Sequence, residues 1–81
     1  MTIRMFTLST CGHCRAAKRF MEDNAIAFEF IDVDLLTGEE RKNTIAELTS
    51  YNPARSFPTI LIGDRTLIGF SESKLREALG I

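Results

Sequence analysis

The 81-residue chain carries ten lysines and arginines against eleven aspartates and glutamates, a formal net charge of −1 at pH 7. This balance excludes the basic excess with which proteins bind nucleic acid or anionic membranes. With 44% hydrophobic and 26% charged residues, the composition predicts one domain over residues 1–81. Polar residues interrupt the first apolar stretch, so we expect no secretion signal, and no run is long enough for a membrane span. The expected location is the cytoplasm.

The first predicted elements are a strand and a helix on either side of the only two cysteines. Residues 3–8 are mostly β-branched or large and apolar, which favours a short buried strand. From His13 to Asp23 the apolar residues recur at helical spacing. The side of this helix that faces the core should carry Cys14, Ala17, Phe20 and Met21. The cysteines therefore stand at the start of a helix, shortly after a strand.

A second strand and a second helix are predicted next. Residues 27–33 carry large apolar side chains on both faces, so we expect both faces to be covered, as in a sheet with helices on each side. Thr37 and Glu40 have the spacing of a capping box, which predicts a helix to about Thr49. Its expected core residues are Ile45 and Leu48.

The last third of the chain predicts a hairpin and a third helix. Residues 59–62 and 66–68 read as strands, joined by a tight turn at Gly63-Asp64. Ser71 should cap the last helix and Gly80 should end it. The buried stripe of this helix should be Leu75, Ala78 and Leu79. The predicted order of elements is thus βαβαββα.

The spacing of Cys11 and Cys14 is typical of a redox-active dithiol. Residues three apart at a helix start lie on one side, within the separation that a disulfide needs. The unpaired N–H groups and partial positive charge of a helix start favour a thiolate at Cys11, which makes it a nucleophile near neutral pH. Two incidental or structural cysteines are the alternative. In a reducing compartment, a lone pair of this kind persists as a catalytic or electron-carrying dithiol.

The element order, with the dithiol after the first strand and Phe57-Pro58-Thr59 before the third, resembles the glutaredoxin and thioredoxin superfamily over nearly the whole chain. The resemblance implies an α/β thioredoxin fold: a four-stranded mixed sheet in the order 4-3-1-2, flanked by three helices, with the first and third on one face. It also implies that Pro58 is a cis-proline beside the dithiol, which turns the Phe57 backbone toward a bound substrate. A trans proline at the start of a strand is the alternative.

Thiol–disulfide exchange is the mechanism that follows from this resemblance. The Cys11 thiolate attacks a substrate disulfide, and Cys14 resolves the mixed disulfide. Gly12 keeps the approach to Cys11 open. A protonated His13 would stabilise the thiolate, or else His13 simply points into solvent. Beyond the dithiol lies a basic patch that consists of Arg15, Lys18 and Arg19. This patch could favour the Cys11 thiolate or steer an acidic partner, and a solvated helix face is the alternative.

The identity of the electron donor depends on the glutathione site. Cys-Gly-His-Cys resembles the motif of protein disulfide isomerase domains, whereas the small size and Gly69-Phe70 resemble the NrdH-redoxins, electron donors of ribonucleotide reductase. Glutathione-using glutaredoxins carry a lysine at the position of Leu8 and a second glycine at that of Phe70. The Phe70 ring either covers the groove for the γ-glutamyl end, packs on the last helix, or contacts a partner protein. The remaining candidates for binding substrate or glutathione are Arg55, Phe57, Gly69, Ser71 and Glu72; a solvated Arg55 is the alternative.

We therefore predict a monomeric dithiol–disulfide oxidoreductase that carries electrons to disulfides in proteins, with ribonucleotide reductase as one candidate. The donor is a thioredoxin reductase-like flavoenzyme or glutathione, and no cofactor is tightly bound. The alternatives within redox chemistry are a glutathione-dependent glutaredoxin and a disulfide isomerase-like exchanger. A soft-metal or iron–sulfur carrier is the alternative from another class, since two thiolates can hold Cu(I) or share a cluster. It is weaker, because two cysteines and one histidine fall short of a structural metal site, and we predict no metal-ligating residues.

Overall fold

The computed structural model describes residues 2–81, which contain four strands and three α-helices. The strands are β1 (Ile3–Thr7), β2 (Glu29–Asp32), β3 (Thr59–Ile62) and β4 (Arg65–Ile68), and the helices are α1 (Gly12–Asp23), α2 (Gly38–Tyr51) and α3 (Glu72–Leu79). One turn of 3₁₀ helix, Val33–Leu35, follows β2. The predicted order βαβαββα is confirmed.

The four strands form one mixed sheet in the order β2-β1-β3-β4. β1 runs parallel to β2 and antiparallel to β3, and β3 pairs with β4 as an antiparallel hairpin. This is the sheet order of the thioredoxin fold that the resemblance implied. β1 is a central strand and runs parallel to β2, so both strands end on the same side of the sheet. The segment that follows Thr7 therefore places Cys11 near the carboxyl ends of β1 and β2.

Alternation along the central strands divides the core between the two faces of the sheet. One face of the sheet packs against α1 and α3. The core between them consists of Ile3, Met5, Ala17, Phe20, Met21, Ile60, Ile62 and Leu75. The other face packs against α2 and is formed by Phe6, Val33, Leu48 and Leu61. The four residues predicted for the buried side of α1 are all buried. The placement of the first and third helices on one face is confirmed.

The prediction that both faces of the second strand are covered is wrong. β2 is an edge strand of only four residues, and the side chain of Phe30 is 51% exposed. Its ring is partly covered by Lys18, whose Nζ lies 3.9 Å from the ring centroid. An edge position explains the exposure, because β2 has a neighbouring strand on one side only, so nothing in the sheet lies beyond Phe30 on the face that it shares with Met5.

Thr37 stands at the predicted start of α2, but the side-chain hydrogen bond of a capping box is not formed there. Thr37 is the residue that precedes the helix, and its carbonyl accepts from the Arg41 N–H, but its side chain makes no capping hydrogen bond. The helix also continues to Tyr51, two residues beyond the predicted end. Asn52 then ends it in extended conformation, as expected of a residue that precedes a proline.

In residues 2–81 every helix is too short or too polar to cross a lipid bilayer.

Candidate active site

Cys11 occupies the position immediately before α1, and its sulfur caps that helix. The residue is extended, with φ −87° and ψ 121°, and its Sγ accepts a hydrogen bond of 3.3 Å from the Cys14 N–H. Its carbonyl accepts the first helical bond, from the Arg15 N–H at 3.1 Å. The sulfur thus does what a serine or aspartate oxygen does at a helix start, and the helix favours negative charge on it.

Cys14 lies one turn into α1 in a very different environment. Its side chain is fully buried, whereas Cys11 is half-buried, and both thiols are free in this structure. The Leu8 N–H, just beyond β1, donates to Cys14 Sγ at 3.5 Å. The helix therefore presents one sulfur at the surface and holds the other beneath it.

These environments move the two pKa values apart. Hydrogen bonding with the Cys14 side chain lowers the pKa of Cys11 and outweighs burial, which raises it. The backbone N–H groups of Cys14 and His13 and the charge of Arg15 lower it further. Burial first, and then the neighbouring Cys11, raise the pKa of Cys14 to about 12. Near neutral pH the exposed sulfur is the better nucleophile, because the thiolate is the reactive form.

The residues between the cysteines are open to solvent. A side chain at position 12 would meet no heavy atom within 4 Å, so Gly12 leaves the approach to Cys11 clear. His13 is exposed, and the group through which it favours the Cys11 thiolate is its backbone N–H. This exposure agrees with the alternative in which the His13 side chain points into solvent.

The three basic residues of the predicted patch have separate surroundings. Arg15 is exposed and acts on Cys11 through its charge. Arg19, also exposed, forms an ion pair with Asp23 at 3.7 Å on its own helix. Lys18 is turned toward the sheet and pairs with Asp32 at 3.0 Å. The three side chains therefore do not act as one positive surface.

The loop that precedes β3 is organised around Asn52, a residue whose role the sequence did not reveal. Asn52 is 1% exposed, and its amide donates to Ser56 Oγ and to Thr59 Oγ1, each at 3.0 Å. Its side-chain oxygen accepts from the Ala54 N–H at 3.1 Å. These contacts fold residues 52–59 into a tight loop. The signal in the sequence is a polar residue before Pro53, a combination that indicates only a break in the chain.

Pro58 lies at the end of this loop and joins it to the segment before α3. The Phe57–Pro58 peptide bond is cis, as the resemblance implied. The Pro58 carbonyl accepts from the Gly69 N–H at 2.8 Å, and Pro58 itself is buried. The loop and the segment that contains Gly69 are therefore held together by the main chain.

The residues proposed for a glutathione site lie on two separate surfaces. Arg55 and Phe57 line a cavity of about 160 Å³ that also contains Leu8, Asp34 and Arg41. Arg55 has a left-handed backbone, with φ 54°, and its Nε donates to Thr49 Oγ1 at 3.0 Å. Arg41 is a cation at this cavity that the sequence did not single out.

Phe70 and Glu72 line the second surface, a groove of about 400 Å³ between α1 and α3. The Phe70 ring packs edge-to-face on Phe20 with 6.4 Å between ring centroids, and it joins the core of that face. Of the three possibilities for Phe70, the structure therefore has it packed against the helices. Ser71 caps α3 as predicted, with its Oγ accepting from the Lys74 N–H at 3.4 Å.

Asp34 fixes the turn that leads from β1 to Cys11, a role that no feature of the sequence indicates. Its carboxylate accepts from the Ser9 N–H at 2.9 Å and from the Ser9 hydroxyl. These bonds lower the pKa of Asp34. Within residues 2–81 no three histidine, cysteine, aspartate or glutamate side chains come close enough to hold a metal ion.

Comparisons with known proteins agree with this geometry. The glutaredoxin family model matches residues 3–67. The glutaredoxin-like protein NrdH of Escherichia coli is 34% identical over 70 residues, which cover 86% of this chain and 79% of that protein.

Two solved structures are similar to this chain in fold as well as in sequence. The methanoredoxin of Methanosarcina acetivorans has a TM-score of 0.93 and 41% identity, covering 99% of this chain and 85% of its own. The NrdH-redoxin of Escherichia coli, a glutaredoxin-like protein with a thioredoxin-like activity profile, has a TM-score of 0.75 and 31% identity and covers 95% and 93%.

We predict that Asn52→Ala lowers the free energy of unfolding by about 2–3 kcal/mol, because it removes the bonds that the buried Asn52 donates to Ser56 and Thr59 and leaves the Ala54 N–H without its partner. Asn43→Ala, an exposed position on α2, is the matched control and should change it by less than about 0.5 kcal/mol. Urea unfolding of both variants measures the difference. Equal stabilities would show that the loop does not depend on Asn52.

Proposed function

The chain belongs to the glutaredoxin family and is a thiol–disulfide oxidoreductase, and from that premise we propose that Cys11 is its nucleophile and Cys14 its resolving thiol. The observation that carries the proposal is the asymmetry of the pair. The half-buried Cys11 sulfur accepts a backbone hydrogen bond at a helix start, while the Cys14 sulfur is fully buried and its pKa is raised to about 12. A substrate can reach only the first of these sulfurs without the helix moving.

The reaction proceeds in two exchanges. The Cys11 thiolate attacks one sulfur of a protein disulfide, which releases the other sulfur as a thiol and leaves a mixed disulfide. Cys14 then attacks Cys11 Sγ, so that the Cys11–Cys14 bond forms and the substrate leaves as its second thiol. The substrate disulfide has gained two electrons and two protons, and the dithiol has lost them. The cysteine sulfurs carry the electrons themselves, so the exchange needs no bound cofactor.

The surrounding residues support the approach of substrate. Gly12 leaves space above Cys11, and Phe57 lies directly before the cis-proline, where its backbone is available to an extended substrate segment. Hydrogen bonds of this kind are independent of the substrate's side chains. Such a site suits disulfides in different proteins. Gly69 is joined to this loop through the Pro58 carbonyl, so its segment is a candidate for a second contact with substrate.

We propose a flavoenzyme of the thioredoxin reductase type as the electron donor, with glutathione as the alternative. Leu8 supplies no charge where glutathione-using glutaredoxins have a lysine, and the ring of Phe70 stands where they have a second glycine. Arg55 and Glu72 lie on different surfaces, so the two ends of glutathione would not share one cavity. The thioredoxin-like activity profile of the NrdH-redoxin relative favours the same donor.

The wider setting follows from the same premise. Ribonucleotide reductase is a candidate acceptor, because the chain is similar to NrdH proteins. A lone Cys-x-x-Cys pair acts as a catalytic or electron-carrying dithiol in a reducing compartment, which favours the cytoplasm. Residues 1–81 would act there as one domain and as a monomer.

Serine substitutions test the two roles. Cys11→Ser should abolish reduction of a protein disulfide, because no thiolate remains at the surface. Cys14→Ser should still attack but should accumulate a mixed disulfide with the substrate, visible by mass spectrometry of the intact protein. The roles assigned to the cysteines would be reversed if Cys11→Ser trapped substrate and Cys14→Ser did not.

Coupled assays test the donor. Oxidised protein is mixed with either thioredoxin reductase or glutathione and glutathione reductase, and NADPH consumption is followed. We expect the glutathione-supported rate to be at least about tenfold lower, the loss that one missing charged contact produces. Leu8→Lys, which restores the charge, should raise the glutathione rate and leave the reductase rate unchanged. Fast turnover of the unaltered protein with glutathione alone would refute the proposed donor.

A further inference from the structure

Lys18 is a charged side chain that the sheet side of α1 holds close to the resolving cysteine. It lies four residues after Cys14, one turn further along the same face of the helix. Its side chain is only 17% exposed, whereas that of the neighbouring Arg19 is 83% exposed. Lysine side chains are seldom buried to this extent unless they are paired with another group.

Two strands fix the Lys18 ammonium group, β2 by direct contact and β1 through its hydrogen bond to Asp32. Its Nζ lies 3.0 Å from Asp32 Oδ1 at the end of β2 and 3.9 Å from the centroid of the Phe30 ring. The same Asp32 oxygen accepts from the Thr7 hydroxyl, which is fully buried at the end of β1, at 2.6 Å. The ammonium group is therefore held from both strands and cannot swing freely into solvent.

The same strand end also reaches the sulfur of Cys14. Leu8, the residue after Thr7, donates its N–H to Cys14 Sγ at 3.5 Å. The charged groups around Cys14 are Cys11 and Lys18 on its own helix and, through Lys18, Asp32 on β2. Thr7, at the end of β1, contributes an uncharged hydroxyl, and Leu8, the next residue, contributes an uncharged amide. Lys18 is thus the positive charge closest to Cys14 along the helix face that they share.

In the second exchange Cys14 has to ionise, and a positive charge close to its sulfur favours that ionisation. Cys14 must attack as a thiolate, yet burial and Cys11 raise its pKa to about 12, so that almost none is ionised near neutral pH. Two groups act in the opposite direction and lower the pKa of Cys14, first the Leu8 N–H that donates to its sulfur and then the positive charge of Lys18. A nearby opposite charge shifts a pKa by about one unit or more, and each unit multiplies the thiolate population tenfold.

We propose that Lys18 is a positioning residue for the resolving step: its ammonium group, fixed by Asp32 and the Phe30 ring, stabilises the negative charge that develops on Cys14 Sγ as it attacks Cys11. The inference rests on the proposed roles of Cys11 and Cys14. In the step, the Cys14 thiol loses its proton, the Cys11–Cys14 bond forms and the bond from Cys11 to substrate breaks. The proton ends on the released substrate thiol.

A role confined to stability explains the arrangement less well. Partly burying an ion pair costs desolvation energy that a pair of apolar side chains would avoid. That cost is understandable where the charge acts on a neighbour. Lys18 is placed where its charge reaches the one sulfur that burial makes unreactive.

Two-phase kinetics with 5,5′-dithiobis(2-nitrobenzoate) test the proposal. Attack by Cys11 releases one thionitrobenzoate and leaves a second on Cys11, and attack by Cys14 then releases that second one. In Lys18→Met the first phase should keep its rate and the second should slow about tenfold, as a shift of one pKa unit in Cys14 requires. Lys18→Arg, which keeps the charge, should restore the second phase to within about threefold. Arg19→Met, which removes an exposed charge from the same helix, is the matched control and should leave both phases unchanged.

The outcomes distinguish a failure of the roles proposed for Cys11 and Cys14 from a failure of the role proposed for Lys18. If the unaltered protein releases no second thionitrobenzoate, the proposed roles of Cys11 and Cys14 fail. If it does, and Lys18→Met is equally fast, only the role of Lys18 is overturned. A second phase that is equally slow in Lys18→Met and Lys18→Arg would also overturn it, because the charge would not matter. If Lys18→Met does not fold, as judged by circular dichroism, Lys18→Gln replaces it and the same comparison applies.

Discussion

The hydrogen bond from the Cys14 N–H to Cys11 Sγ is the contact on which the site depends. It makes the first cysteine part of the helix start, so that the backbone stabilises its thiolate, and the helical geometry then carries the second cysteine beneath the surface. The chemical difference between two identical side chains therefore comes from one turn of helix. The sheet supplies the rest, because the central strand β1 determines where that turn begins.

The parts of the fold that the sequence predicts are those that depend on near neighbours in the chain. The helical spacing of Cys14, Ala17 and Met21 predicts which side of α1 is buried, and the Gly63-Asp64 turn predicts the hairpin of β3 and β4. The motif itself predicts which residues carry the chemistry. These features need only local periodicity and turn preferences, so they can be read without coordinates.

The features that sequence reasoning missed depend on residues far apart in the chain. Asp32 meets Lys18 across 14 positions and Thr7 across 25, and no local pattern predicts either contact. The exposure of Phe30 follows from the position of β2 at the edge of the sheet, which depends on the other strands. Asn52 resembled an ordinary helix end because its partners belong to the loop that it organises. Each is a tertiary contact that overrides or extends a local preference.

The central claim is that the fold makes Cys11 the thiolate and keeps Cys14 protonated. Labelling both cysteines with ¹³C at Cβ and following their NMR shifts with pH in the reduced protein measures this directly. Because the pKa of Cys11 is lowered and that of Cys14 is raised to about 12, Cys11 should titrate below the ordinary value of a cysteine thiol. Cys14 should stay protonated well above that pH. Two titrations near the usual value, or a Cys14 that ionises first, would contradict the account.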